Sequence, residues 1–279
     1  MPLWKRALRL VVIITLTPVI FLLGCQSSLI YHPSPYRAEY ERMLVAAKGA
    51  RLSFTTSQGR QTAFYIPTRK GGAGLPRTIW LCFAGNASLA LDWLRVTDEW
   101  DAGFAYLLVD YPGYGDCAGK PNPGNIRESG KAAFTALAGH LQTPEKELTG
   151  RMAVLGHSLG CAAALMTATD LDVRRGVLVS PFTSMTDMGR VVLGWPLCHL
   201  NMHRFDNRKT LRAVAGREGA RLIVFHGAED EVIPVAMGRE LAGMAPEVVT
   251  FHELAGAHHN DVLYLAYYQI GQAMKALAR

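Results

Sequence analysis

Residues 156–160 read GHSLG, and a serine between two glycines is a spacing that can present a hydroxyl as a nucleophile. The same pattern also fits an ordinary tight turn, so the neighbouring sequence has to decide. The apolar run 152–155 predicts a strand that ends at Gly156, and the alanine-rich stretch after Leu159 predicts a helix. A sharp turn from strand to helix projects a serine hydroxyl above a sheet, so Ser158 is the candidate nucleophile.

The residues beside Ser158 have structural interpretations. Gly156 and Gly160 lie where the predicted strand and helix approach each other, and a Cβ at either position would clash there. His157 is predicted to point elsewhere on the turn and to act as a packing residue.

A carboxylate that could serve this serine lies further along the chain. A serine hydroxyl is a weak nucleophile until a base takes its proton and an acid orients that base. The stretch HGAEDEVIP (226–234) follows an apolar strand and offers Asp230 as the acid. Glu229 and Glu231 are the neighbouring carboxylates that could take its place.

A histidine follows in the order serine, acid, base. The stretch GAHHND (256–261) comes directly after the last predicted strand and contains His258 and His259. Spacing alone does not decide between these two rings, although only one of them can face Ser158. Three independent matches in the required order favour catalysis over a chance turn.

The elements that must position these residues form an alternating pattern. Two extended runs, 51–56 and 61–67, are separated by a turn-like SQGR and predict a hairpin. Six further apolar strands alternate with helical stretches, which is typical of an α/β fold with a mainly parallel sheet flanked by helices. These strands are 78–84, 104–110, 151–156, 176–180, 221–227 and 248–254.

One interval is longer than a simple connection. Residues from about 182 to 208, between the sixth and seventh strands, are rich in Met, Val and Leu and include Trp195. This length is too great for a connecting loop and too small for a domain, so it predicts a small cap over the carboxyl edge of the sheet.

Several stretches together resemble a known family. These stretches are FAGNAS (83–88), DYPGYG (110–115), GHSLG, SPFTSM (180–185), RFDN (204–207), HGAEDEVIP and GAHHND. With them the chain looks like a serine hydrolase of the alpha/beta-hydrolase superfamily, from the subgroup with a histidine-glycine-asparagine-alanine loop after the third strand. This resemblance implies an acyl-serine mechanism, with Ser158, Asp230 and His259 as the catalytic residues and no metal or organic cofactor.

The resemblance also assigns the remaining site residues. The family pattern glycine-alanine-glycine-histidine-asparagine-aspartate places His258 at the second glycine and His259 at the base. The oxyanion hole would be formed by the backbone N–H groups of Asn86 and Leu159. Ala84 stands where the family has its loop histidine, which puts the rigidity of that loop in doubt, and one misplaced donor costs on the order of 100-fold in rate.

Other motifs have weaker functional interpretations. GYGDCA (113–118) matches a dinucleotide pattern, but no helix opens behind it, so a structural loop is favoured. His199 and His203 have helical spacing for a metal, but no third ligand is evident. Asp110 ends a strand and is interpreted as structural.

The N-terminus has the pattern of an export signal. A basic start precedes an apolar run, 10–23, which is broken by Pro18 and is short for a bilayer-spanning helix of about 20 residues. The stretch LLGC (22–25) resembles a bacterial lipoprotein signal, with a plain signal anchor as the alternative. We therefore expect a signal peptide over 1–24, a lipidated Cys25, a linker and N-terminal segment over 25–50, and a hydrolase domain over 51–279 anchored to a bacterial membrane, facing the periplasm or cell surface.

Composition excludes one class of partner. The chain has 279 residues, 49% of them hydrophobic, which is enough for one large core. The formal charge of +6 falls to +3 without residues 1–24, and no basic stripe with interleaved aromatics is present, so nucleic-acid binding is not expected.

The other four cysteines lie in two kinds of predicted structure. Cys82 and Cys161 lie in a predicted strand and helix, where buried free thiols are expected. Cys117 and Cys198 lie in loop-like stretches and could pair, which spacing does not decide.

The sequence therefore favours a membrane-anchored esterase or thioesterase acting on a small-molecule or lipid-like acyl substrate. An inactive hydrolase scaffold with a binding or assembly role is the alternative from another class, and peptide-bond hydrolysis is the alternative among enzymes. The oligomeric state does not follow from the sequence.

Overall fold

One eight-stranded sheet lies at the centre of the computed structural model, which describes residues 2–71 and 74–278. The strands lie in the order β1-β2-β4-β3-β5-β6-β7-β8. They are β1 (Ala50–Thr56), β2 (Gly59–Ile66), β3 (Thr78–Phe83), β4 (Phe104–Val109), β5 (Met152–His157), β6 (Arg175–Val179), β7 (Arg221–Gly227) and β8 (Val249–Leu254).

The direction of the strands confirms the predicted fold class. β1 and β2 form an antiparallel hairpin, and β2 pairs antiparallel with β4. All the remaining neighbours are parallel, from β4 through to β8. The central strands β3, β4 and β5 are buried along their whole length, as continuously apolar strands must be when helices cover both faces of a sheet.

The helices occupy the connections between these strands. They are α1 (Leu3–Ile30), α2 (Ala38–Ala46), α3 (Leu94–Thr97), α4 (Pro123–His140), α5 (Glu145–Thr149), α6 (Leu159–Leu171), α7 (Met185–Leu193), α8 (Asn207–Ala215), α9 (Val235–Gly243), α10 (Val262–Leu265) and α11 (Tyr267–Leu277). Two 3-10 helices, Ala90–Trp93 and Leu197–Leu200, complete the described part of the chain.

Helix α6 lies in the middle of this arrangement, directly behind the candidate nucleophile. It packs on β5 and β3, between α4 and α8. Ala162, Ala163 and Ala164 are buried at this contact, and such small side chains allow the helix to lie close to the sheet. The position of the residue before α6 is therefore fixed by the core.

The interval between β6 and β7 contains two short helices, α7 and Leu197–Leu200, which pack against each other. Its two ends are joined by a β-bridge between Ser184 and Asp206. Both bridge residues also cap helices, because the Ser184 side chain accepts from the Asp187 N–H and the Asp206 side chain from the Lys209 N–H. We call residues 182–208 the cap.

The N-terminus differs from the predicted short apolar run and linker. α1 has 28 residues, continues past position 18 and ends at Ile30. It ends just before His32 and Pro33, and a residue that precedes proline is disfavoured in helical backbone. By length and composition α1 can cross a membrane, which the apolar run considered alone did not predict.

All five cysteines are free in the described part of the chain. Cys82 and Cys161 are buried thiols, as expected. Cys117 and Cys198 are also buried and do not pair.

Candidate active site

Ser158 sits on a strained turn between β5 and α6. Its backbone adopts φ 54° and ψ −118°, a conformation that side-chain-bearing residues rarely adopt. The turn is held by the Ser158 N–H, which donates to the Val179 carbonyl of the neighbouring strand at 2.8 Å. The hydroxyl is thereby projected from the carboxyl edge of the sheet.

The two flanking glycines have the steric role predicted from the sequence. A Cβ on Gly156 would lie 2.4 Å from the carbonyl oxygen of Gly160. A Cβ on Gly160 would lie 2.1 Å from the carbonyl oxygen of Phe83, in β3. Both distances are far below contact, so the turn can pass this closely only with glycine at both positions.

The structure brings Ser158, His259 and Asp230 together. His259 Nε2 lies 3.0 Å from Ser158 Oγ, and His259 Nδ1 lies 2.8 Å from Asp230 Oδ2. All three residues are buried, with exposed fractions of 9%, 5% and 9% in the order serine, histidine, aspartate. Because an ionised carboxylate only accepts, the proton of a neutral ring lies on Nδ1, which leaves Nε2 free to accept the serine proton.

Backbone and side-chain donors keep Asp230 ionised. The N–H groups of Ile233 and Val232 donate to Oδ1 at 2.7 and 3.0 Å. Burial by itself raises the pKa of this carboxyl, but the hydrogen bonds from His226, His259 and the Ile233 N–H outweigh burial and hold the pKa below its ordinary value. The group facing His259 is therefore a carboxylate.

Replacing Asp230 with asparagine should lower the turnover of ester hydrolysis by up to about 10⁴-fold. Asparagine keeps an acceptor for the Ile233 N–H but cannot hold His259 in the required tautomer. We would measure turnover of p-nitrophenyl acetate, with Glu231→Gln as the control, which should retain activity. A loss confined to Glu229→Gln or Glu231→Gln would show that the acid has been misplaced.

His226 is a second histidine at Asp230, and it was not among the site residues predicted from the sequence. It is fully buried, with Nε2 3.3 Å from Asp230 Oδ2 and 2.9 Å from the Ile233 carbonyl oxygen. Its Nδ1 faces Gly238, where a Cβ would come within 2.4 Å. His226 and His259 therefore both contact the Oδ2 atom of this carboxylate. The position of His226 in the sequence, four residues before Asp230, was the feature from which this contact could have been predicted.

His258 lies outside this arrangement. Its side chain is 54% exposed, with Nδ1 3.2 Å from Glu231 and Nε2 3.7 Å from Glu229. The hydrogen bond to Glu231 raises the pKa of His258 above its ordinary value. The two neighbouring glutamates thus pair with the solvent-facing histidine rather than with the His259 ring, although Glu231 also accepts from the His259 N–H at 3.3 Å.

His157 is a buried spacer between two loops of the site. Its Nε2 lies 3.3 Å from the His259 carbonyl oxygen, and its Nδ1 would lie 2.9 Å from a Cβ on Gly85. Burial, together with repulsion by His259, lowers the pKa of His157 to about 4. A neutral ring therefore separates the loop of Gly85 from the loop of His259, in keeping with the packing role predicted from the sequence.

Stability in acid should depend on His157. Its pKa is about 4 in the folded protein against 6.5 for the free side chain, so the unfolded chain binds more protons between these values. The stabilising contribution is complete above pH 6.5 and is lost as the pH falls toward 4. We expect His157→Gln to reduce the fall in unfolding free energy between pH 7 and pH 4 by on the order of 3 kcal/mol. Urea denaturation across this range measures it, and identical pH profiles would contradict the assignment.

The loop that carries Ala84 is held without a histidine at that position. The Tyr111 hydroxyl donates to the Ala84 carbonyl oxygen at 2.5 Å. Asn86 Oδ1 accepts from the Tyr114 hydroxyl at 2.7 Å and from the His32 N–H at 3.1 Å. Two tyrosines and the segment after α1 thus brace a loop whose rigidity the sequence left in doubt.

The proposed oxyanion donors belong to two separate segments of the chain. Leu159 is the first residue of α6, so its N–H is one of the four at a helix start that have no acceptor within the helix. Asn86 follows Gly85, which packs against His157 beside the nucleophile. Their catalytic role stays a prediction.

Asp110 lies in a separate network, as the structural interpretation predicted. It accepts from the Tyr36 hydroxyl at 2.6 Å and from the Ala90 N–H at 2.8 Å. Burial raises the pKa of Asp110 to about 7. The neighbouring Gly115, within the GYGDCA stretch, has φ 54° and packs on Tyr36, so this stretch forms a structural turn.

The chain is similar in sequence and in structure to known proteins. The profile of the alpha/beta hydrolase family matches residues 71–207. The chain is 30% identical over 261 residues to an uncharacterized protein of Mycobacterium tuberculosis, covering 92% of this chain and 89% of that protein. It is 26% identical over 159 residues to human alpha/beta hydrolase domain-containing protein 17C, covering 57% of this chain and 45% of the human protein. An esterase structure from Pyrococcus furiosus superposes with a TM-score of 0.68 at 15% identity, over 90% of this chain and 99% of that one.

Proposed function

Since the chain belongs to the alpha/beta hydrolase family, we propose that it is a serine hydrolase that cleaves carboxylic esters or thioesters of an acyl-type substrate. The observation that carries the proposal is the contact of His259 with both Ser158 and Asp230, at 3.0 and 2.8 Å. These distances are those at which a histidine can take the proton of a serine while a carboxylate orients its ring.

The proposed reaction has two halves. In the first, Ser158 Oγ bonds to the acyl carbonyl carbon while its proton passes to His259 Nε2, and the N–H groups of Asn86 and Leu159 donate to the oxyanion. The bond to the alcohol or thiol then breaks, and this leaving group takes the proton from His259. In the second half, water adds to the acyl-serine by the same steps, which releases the carboxylic acid and restores Ser158.

The apolar cap supports an acyl group as the recognised part of the substrate. The cap follows β6, whose end lies beside that of β5, where Ser158 sits. Met185 and Met188 are half-buried on its inner side, where they pack against the core. Flexible thioether side chains adapt well to hydrocarbon. The name of the structurally similar Pyrococcus furiosus protein, an esterase, agrees with this bond type.

Fluorophosphonate labelling of the full chain, followed by a panel of acyl esters, acyl thioesters and peptides, tests the proposal. We expect labelling and hydrolysis of the esters or thioesters. Labelling with hydrolysis of peptides alone would support a peptidase, and absence of labelling in folded protein would favour the inactive scaffold. The panel therefore separates the three functions that the sequence left open.

We further propose that the catalytic domain is exported and held at a bacterial membrane through its N-terminus. α1 has the length and composition of a signal or anchor helix, and Lys5, Arg6 and Arg9 precede its apolar run. Cys25 would receive a lipid after cleavage of residues 1–24, and its half-exposed side chain lies just ahead of the cap contacts of α1. Two acyl chains anchor stably where one does not.

Replacing Cys25 with serine should abolish lipid attachment and leave an unprocessed form, because a hydroxyl cannot replace the thiolate that attacks the lipid donor. Incorporation of labelled palmitate in the bacterial host, read together with the size of the chain, measures this. Cys198→Ser is the control, since that thiol is buried, and it should keep its label. Equal incorporation with and without Cys25 would disprove lipidation at this position.

A further inference from the structure

The cap carries a group of large apolar side chains in water. Their exposed fractions range from 38% for Leu197 to 75% for Trp195. We call them the cap surface: Val191, Val192, Leu193, Trp195, Leu197 and Met202. Contiguous exposed apolar residues of this kind mark interaction sites rather than ordinary protein surface.

The charges on this part of the cap have a single sign. Residues 188–205 contain no aspartate or glutamate. They include Arg190 and Arg204, both exposed, and the exposed His199. An apolar surface with a tryptophan and a cationic margin has the composition of a segment that rests in a membrane interface containing anionic lipid.

The end of α1 is fixed directly to the cap. Gln26 donates from Nε2 to the Leu200 carbonyl oxygen and accepts the Met202 N–H at Oε1, both at 2.7 Å. His203 contacts the Tyr31 hydroxyl at 3.2 Å and Ser27 Oγ at 3.3 Å. The cap and the residues that follow Cys25 therefore keep a defined geometry.

The length of α1 places this junction at the bilayer surface. The apolar run that follows Lys5, Arg6 and Arg9, residues 10–24, rises by about 22 Å at about 1.5 Å per residue, within the hydrocarbon thickness of about 30 Å. Gln26 lies two residues beyond this run, so its contacts with the cap are made at the leaflet where the run ends. If the chain is instead cleaved and lipidated at Cys25, the acyl chains begin at the same point. Either form holds the cap next to the lipid.

An apolar groove lies between the end of α1 and the cap. It has a volume of about 360 Å³ and runs between the end of α1 and α7. Leu29 and Ile30 line one side, and Met188, Val192 and Leu193 line the other. The apolar surface is thus continuous from the membrane-proximal residues to the cap surface.

We propose that the cap surface docks onto the bilayer leaflet that holds residue 25, with Val192 and Trp195 inserted at the interface. The catalytic edge of the sheet then faces the membrane, and a lipid-like acyl substrate reaches Ser158 from that leaflet. The inference rests on the N-terminal anchor of the proposed function and not on the hydrolytic chemistry. Fluorophosphonate labelling of Ser158 tests the chemistry, whereas the experiment below tests the docking.

Tryptophan quenching in the full chain tests the docking. Trp80, Trp93 and Trp100 are buried, so Trp4→Phe leaves Trp195 as the exposed tryptophan. This variant would be reconstituted into phosphatidylcholine and phosphatidylglycerol vesicles with brominated or ordinary acyl chains. We expect brominated acyl chains to quench most of the Trp195 fluorescence. The double variant Trp4→Phe with Trp195→Phe should show no quenchable fluorescence.

A tryptophan on another exposed surface provides the matched control. Tyr268 is 65% exposed in α11, which packs on β6, β7 and α10, and Tyr268→Trp in the doubly substituted chain should stay unquenched. Equal Trp195 emission in brominated and ordinary vesicles, with the protein floating with both, would overturn the proposal. Quenching at position 268 instead would identify another docking face. Concentration-dependent shielding of Trp195 without quenching would assign the cap surface to a second copy. Failure to float would remove the anchor on which the inference rests.

Discussion

His259→Ala is expected to abolish ester hydrolysis, with a loss of up to about 10⁶-fold in turnover, whereas His258→Ala keeps most of the activity. His259 is 5% exposed and contacts both Ser158 and Asp230, at 3.0 and 2.8 Å. The neighbouring His258 side chain is 54% exposed and faces two glutamates. Removing the first ring takes the proposed base from the serine, and removing the second takes away a surface ion pair, which contributes little.

Steady-state hydrolysis of p-nitrophenyl acetate by both variants measures this difference, with thermal denaturation to establish that both are folded. Added imidazole should restore part of the His259→Ala activity, because the small base can enter the space that the ring leaves. It should have no effect on His258→Ala. The reverse ranking of the two variants, at equal thermal stability, would move the base to His258.

Ser158→Ala should remove both fluorophosphonate labelling and ester hydrolysis, again by up to about 10⁶-fold in turnover, because in the proposed reaction the hydroxyl is the group that bonds to the acyl carbon. The remaining residues of the site do not compensate for a missing nucleophile. Alanine keeps the backbone strain of serine at φ 54°, so the fold should be retained.

Ser180 offers a closely matched control for this substitution. It is fully buried, has φ 50°, and its hydroxyl has no hydrogen-bond partner in the described residues. Ser180→Ala therefore removes an equivalent hydroxyl, from the end of the neighbouring strand, and should leave labelling intact. Undiminished labelling in Ser158→Ala, or loss of labelling in Ser180→Ala alone, would place the nucleophile elsewhere.

Local sequence determined the fold class and the order of its elements. Continuously apolar strands alternating with helical stretches predict a covered parallel sheet, and all eight predicted strands are present. The turn at Ser158 could also be predicted from the sequence, because the strand, both glycines and the helix fall within a few neighbouring residues. Information of this kind is contained in short windows of the chain.

The end of α1 shows where local patterns were insufficient. The sequence predicted a signal segment followed by a linker, but the helix continues to Ile30 and packs on the cap. Gln26 and its partner Leu200 are 174 residues apart, so no periodicity or motif connects them. Their contact follows from how the whole domain folds.

Tertiary structure likewise decided the surroundings of the candidate site. Sequence order and the family pattern selected Ser158, Asp230 and His259. The contact of His226 with Asp230, the position of His157 between two loops and the hydrogen bond from the segment after α1 to Asn86 depended instead on the paths of separate loops. Side-chain pattern fixes which face of a strand or helix is buried, because burial repeats with the backbone period. Loops have no such period, and the direction of their side chains is set by the packing of elements distant in sequence.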